Sequence, residues 1–242
     1  MSSPTQPTQF REQISLPGQT HVAEGPYDQT PMYLMHHAFR RDLRRFEAAV
    51  RATPLGEVAT WNALARRWDR FADVLHHHHQ VEDVYIWPVL ERHAAEDGEA
   101  AATQMLHAME EEHGLIDPAL AGVEAAFRAM AAHPCVDHRN ALDVRVTALR
   151  AALLDHLRHE ETDALPYLQR VATPEEEKAM AQGAERGYPL SITPFVVPWV
   201  AEEVPEELVA PILRAAGPMF VLMLRVFRGR FHRAERAAFR YA

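Results

Sequence analysis

Four segments of this chain carry apolar stripes whose members alternate three and four residues apart, over lengths that only long helices accommodate. The first stripe reads Met32, His36, Phe39, Leu43, Phe46, Val50. The second reads Leu64, Trp68, Phe71, Leu75, His78, Glu82, Tyr85, Val89. The third reads Leu106, Met109, His113, Ile116, Leu120, Val123, Phe127, Met130, and the fourth Leu142, Val146, Leu149, Leu153, His156, Glu160, Asp163, Tyr167. Such spacing keeps side chains on one face of an α-helix, and four such faces bury one another in an antiparallel bundle. Thr30-Pro31 gives the first helix an N-cap followed by Pro at its first position. Thr53-Pro54-Leu55-Gly56 and His133-Pro134 end the first and third segments. Pro118 falls inside the third and predicts a kink. Strand signals are nearly absent and there are only 10 Gly. The expected fold is all-α: an antiparallel four-helix bundle with a helical C-terminal extension.

Polar residues interrupt the seams at mid-helix: His36, His78, Glu82, His113, His156 and Glu160. A lone His on an apolar face is usually a hydrogen-bonded core histidine. Six polar groups at one level are different, because burying unpaired carboxylates and imidazoles is costly. Their placement also repeats. His78-x3-Glu82 recurs as His156-x3-Glu160, Asp83 matches Glu161, Pro88 matches Pro166, and His36 pairs with His113. The chain therefore reads as two copies of one unit, a helix with one His followed by a helix with His-x3-Glu. Residues i and i+4 share a helix face, so both can reach a metal at the bundle centre. Imidazole and carboxylate together suit iron, manganese or zinc.

These stretches resemble the hemerythrin-like, or HHE cation-binding, family. The resemblance is carried by His36-His37-Ala38-Phe39-Arg40-Arg41-Asp42-Leu43, His78-His79-Gln80-Val81-Glu82-Asp83, Glu112-His113-Gly114-Leu115-Ile116 and His156-Leu157-Arg158-His159-Glu160-Glu161, within residues 30 to 170. It implies two non-haem iron ions with an oxo or hydroxo bridge. Glu82 and Glu160 would bridge them, with His36 and His78 on one iron and His113 and His156 on the other. The small ligand implied is O2, nitric oxide or peroxide. The oxygen-carrying hemerythrins place a fifth His one turn before the third-helix His, and here Met109 stands there. Methionine suits a hard ferric ion poorly. That iron is then expected to keep an open position or to recruit Glu110, which favours oxygen, peroxide or nitric oxide chemistry over reversible oxygen carriage.

The tract His76 to His79 lies on one helix, so only one of its members faces inward, and the stripe selects His78. His37 competes with His36 but falls off the stripe and spoils the repeat spacing, while His107 and His159 sit beside the stripes and read as solvated or supporting groups. Tyr85 and Asp163, three residues after each Glu, are candidates to orient the ligands. A ferritin-like carboxylate site would use two Glu-x-x-His motifs; this chain has one, Glu110 to His113. A non-catalytic sensor module holding iron, zinc or manganese is the alternative function.

Residues 1–26 read as a disordered tail, 27–172 as the bundle and 173–242 as the extension. In the extension, Thr173-Pro174-Glu175-Glu176 is a capped helix start, and Gly217-Pro218 opens a further helix. That helix carries six Arg against Glu235. These Arg are expected to meet the acidic bundle surface, with contact to an anionic membrane as the sharper alternative. The net charge of −9 argues against nucleic-acid binding. One cysteine, Cys135, excludes an intramolecular disulfide and a Cys-rich zinc site. With neither a signal peptide nor a transmembrane run in view, the expected location is cytoplasmic.

Overall fold

The computed structural model describes residues 10, 12–187, 189 and 191–242. Among these residues there is no strand. The bundle is built from α1 (Thr30–Ala52), α2 (Val58–Val81) continued by α3 (Trp87–Glu96), α4 (Ala100–Ala132), and α5 (Val136–His159) continued by α6 (Leu165–Val171). α1 packs on α5, α2 on α4, and α4 on α5. The start of α1 differs slightly from expectation. Gln29 is the capping residue, and the Asp28 carboxylate accepts from the Thr30 N–H at 3.0 Å. α4 continues through Pro118. The carbonyl left without a donor there is that of Gly114, and both residues are exposed, so the carbonyl is open to solvent.

Two single π turns join the broken helices, Glu82–Ile86 between α2 and α3 and Glu160–Ala164 between α5 and α6. Each closes on a bond five residues long, Trp87 N–H to the Glu82 carbonyl and Leu165 N–H to the Glu160 carbonyl. The cause is local. Pro88 and Pro166 follow immediately, lack an N–H, and crowd the carbonyl four residues back, that of Val84 or Thr162. The helix widens by one residue and both glutamates sit at the start of the wide turn.

The apolar core falls into two clusters with the polar level between them. One contains Phe39, Phe46, Trp68, Phe71, Phe127 and Leu153. The other contains Trp87, Leu90, Leu106, Met109, Tyr167 and Leu168. Aromatic rings lock the first, with Phe46 against Trp68 at 4.9 Å and Phe39 edge-on to Phe71 at 5.7 Å.

Residues 12–29, mostly within the expected tail, lie against the bundle without regular structure. Leu16 and Ala23 are buried. The Ala23 N–H donates to the Tyr33 hydroxyl at 2.8 Å, and the Tyr27 hydroxyl donates to the Ala172 carbonyl at 2.6 Å. The tail composition hid these contacts because their partners, Tyr33 and Ala172, lie outside the segment. Residues 1–9 and 11 lie outside the described residues.

The extension is helical: α7 (Pro174–Gly187), α8 (Thr193–Val200) and α9 (Glu206–Ala238). Thr173 and Glu176 form the expected reciprocal cap, with Thr173 N–H donating to the Glu176 carboxylate at 2.9 Å. Gly217 takes φ 80° and ψ 174° and splits α9 at the predicted Gly-Pro. The ionic attachment is mostly of the opposite polarity to the one expected; Arg240, 3.7 Å from Glu57 of the bundle, makes a contact of the expected sign. Glu235 of α9 meets Arg45 and Arg67 of the bundle, while Arg225, Arg228 and Arg233 stay exposed. No helix among the described residues is long and apolar enough to cross a membrane.

Candidate metal centre

Between the two apolar clusters the structure brings together all six residues singled out by the stripes. None is more than 4% exposed. Each glutamate lies between two imidazoles from different helices. For Glu82, Oε1 is 3.2 Å from His78 Nε2, and Oε2 is 3.5 Å from His113 Nε2. For Glu160, Oε2 is 3.2 Å from His36 Nε2, and Oε1 is 3.4 Å from His156 Nε2. Two overlapping groups of donor atoms result. One is His36, His78, Glu82 and Glu160; the other is His113, His156, Glu82 and Glu160. Within each group the atoms lie within 4.8 Å of one another.

No hydrogen bond satisfies these carboxylates: all four oxygens of Glu82 and Glu160 are buried without a hydrogen-bond partner, as are the Nε2 atoms of His36 and His78. Burial and the neighbouring Glu160 push the Glu82 carboxyl well above its usual range. Burial would raise Glu160 too, but His156 and His36 outweigh it and hold that carboxyl well below. Burial opposes charge on His156, yet Glu160 and Glu112 raise it to about 9. The protein alone thus leaves buried carboxylate oxygens and imidazole nitrogens without hydrogen-bond partners, which a cation would satisfy. The donor chemistry, imidazole nitrogen with carboxylate oxygen, fits divalent or trivalent transition metals.

The imidazoles are held from behind. His36 Nδ1 pairs with Glu161 at 2.9 Å, and Arg40 grips the same carboxylate at 2.7 and 2.9 Å. His113 Nδ1 pairs with Asp83 at 2.8 Å, and His156 Nδ1 with Glu112 at 2.7 Å. Such contacts fix ring orientation and turn Nε2 inward. The family model for the hemerythrin HHE cation binding domain matches residues 30–168. The chain belongs to that family. Comparison with curated proteins gives no match, and comparison with solved structures gives none. The HHE domain is a cation-binding module, and its match ends before α7, so α7 to α9 are additions to it.

The supporting carboxylates of this HHE domain were only half legible. Asp83 and Glu161 stood out as a matched pair in the repeat, but Glu112 and Asp117 did not. Tyr85 and Asp163, expected to orient ligands, do other things. Tyr85 packs at Gly183 of α7, and Asp163 accepts from the Thr162 hydroxyl at 2.7 Å. Glu110 is exposed and Met109 fully buried. His37 turns away, its ring nitrogens near the Pro17 and Glu203 carbonyls at 3.4 and 3.2 Å. His76 is exposed and pairs with Asp117 at 3.0 Å. His79, set aside on helical phase, is 1% exposed and stands within a donor group with His113 and His156.

Proposed function

We propose that this chain is a hemerythrin-like non-haem di-iron protein that binds or reacts with O2, peroxide or nitric oxide, its four long helices running antiparallel around the metals. The observation that carries this reading is the pair of buried glutamates, each offering one oxygen to each of two histidine pairs. A carboxylate so placed would serve two ions at once. His36 with His78 would hold one ion and His113 with His156 the other, with Glu82 and Glu160 shared. Iron in such a site supplies a coordination position for a small ligand and the electrons to reduce it.

The chain's own groups do the rest. Glu161, Asp83 and Glu112 lie at Nδ1 of three imidazoles, where they would accept the Nδ1 proton and leave Nε2 to a bound metal. Phe39, which meets the His78 ring at 5.2 Å, and the apolar clusters above and below exclude bulk water. A small uncharged ligand can enter such surroundings at little desolvation cost.

Metal content and the optical spectrum of the protein as isolated test the reading. Two irons per chain with near-ultraviolet charge-transfer bands, and turnover or binding of peroxide or nitric oxide, are the expected results. Zinc, or one metal per chain, would overturn the di-iron reading.

A second reading is a non-catalytic, cytoplasmic metal sensor whose C-terminal helices contact a partner or an anionic membrane. Two observations favour it. Phe39 touches both His78 and Trp199 of α8, each at 5.2 Å, linking the site to the extension. α9 exposes Met219, Val221, Leu222 and Val226 beside Arg225. Co-sedimentation with anionic liposomes, compared between the wild type and Leu222→Ser, separates membrane from partner.

A further inference from the structure

We propose that His79 is a fifth imidazole ligand of the centre, binding through Nε2 the ion held by His113 and His156 and supplying the imidazole that Met109 does not. The inference rests on the two-metal reading above.

His79 is built like the residues already assigned. Its Nδ1 pairs with a carboxylate on another helix, Asp117 of α4, at 3.1 Å. Its Nε2 is buried and has no hydrogen-bond partner. The same construction, Nδ1 on a carboxylate and Nε2 turned into the cluster, is found at His36, His113 and His156. The His79 ring stacks on His113 at 4.0 Å and meets His156 edge-on at 5.4 Å. Its donor nitrogen and those of His113 and His156 lie within 4.8 Å of one another. A core histidine with no further role would have its second nitrogen bonded or facing water.

The repeat shows that this feature belongs to one half only. The position matching His79 in the second copy is Leu157, and the position matching Asp117 in the first copy is Arg40. Leu157 is fully buried and offers no donor. One ion would therefore have three imidazoles and the other two. An open coordination position would then fall to the ion held by His36 and His78, near Phe39.

The test uses full-length apo-protein loaded with cobalt(II) chloride. Proton NMR counts the hyperfine-shifted imidazole N–H resonances that exchange with solvent. Five are expected in the wild type, from His36, His78, His79, His113 and His156, and His79→Ala should lose one. Chelator competition should show one of the two ions leaving about 10- to 100-fold faster in Asp117→Asn, the range for loss of a group that orients a ligand. Two bound ions with four such resonances in the wild type would overturn the proposal while leaving the two-metal reading intact. Fewer than two ions per wild-type chain, or unchanged uptake in His156→Ala, would overturn both. If His79→Ala loses its helical circular dichroism, the wild-type count and Asp117→Asn still decide.

Discussion

At the scale of single residues, the two halves of the centre share a design and differ in its details. Glu161 stands behind His36 as Asp83 stands behind His113, at matching positions of the repeat. Glu112 stands behind His156, but the matching position in the first copy is Met35, which offers His78 no carboxylate. Helical phase within the tract His76 to His79 makes a sharp prediction. His78→Ala and Glu160→Ala are expected to lose metal and melt earlier, because metal bound only to the folded state stabilises it. Metal held at about 100 times its dissociation constant contributes about 2.7 kcal/mol, which for a chain of this size is about 5–10 °C in Tm. His77→Ala should change neither quantity, since His77 bonds Gln80 and lies outside the donor groups. Metal analysis and thermal melts of the three variants check this. Metal loss in His77→Ala alone would show that the phase is wrong.

Among the elements, the π turns have the largest consequence for the site. Both glutamates open a widened turn followed by a helix with proline in its first turn. Pro88→Ala and Pro166→Ala restore the missing N–H and allow an uninterrupted α-helix. Each is expected to rotate its glutamate away from one imidazole and to speed metal release about 10-fold, the lower end of what disturbed ligand support costs. Helix content should not fall. Chelator competition with far-ultraviolet circular dichroism measures both, and unchanged release in both variants would mean that packing, not proline, sets the turns.

For the molecule as a whole, the extension is clamped to the bundle by a buried ionic network. Arg67 of α2 pairs with both Asp42 of α1 and Glu235 of α9. Trp199 of α8 donates its indole N–H to Asp42 at 2.7 Å, and Arg41 donates to the Trp199 and Glu202 carbonyls at 2.9 and 2.8 Å. Removing one partner strands a buried charge, so Glu235→Ala is expected to cost about 3–5 kcal/mol in denaturant unfolding. Burial alone would raise the Asp42 carboxyl, but Arg67 and Arg41 outweigh it and hold it below its ordinary value. A depressed folded-state value means that Asp42 stabilises the fold fully at neutral pH. That contribution disappears as pH falls from the unfolded value, about 3.9, through the folded one. The stability gap between wild type and Asp42→Asn should therefore be widest at neutral pH and narrow on acidification below about pH 4. A gap that stays constant across that range would remove Asp42 ionisation from the account.

Much of this was written in the order of the residues. Helical periodicity is a local property, so the four stripes, the proline stops, the Thr173 cap and the Gly217-Pro218 break could all be read along the chain. The six polar residues on the stripes could be read too, because a charge on a buried face is anomalous whatever it touches, and the two-copy repeat paired them. What lies one residue off the stripe could not. His79 is about 100° from His78 around the helix, and only the approach of α4, which brings Asp117 and His113 to that side, turns it inward. The same holds for Glu112, for the N-terminal segment laid along α1, and for the polarity of the α9 attachment. Each depends on which surface of one segment meets which surface of another, and such contacts join residues from 38 apart in the chain, for His79 and Asp117, to 190 apart, for Arg45 and Glu235.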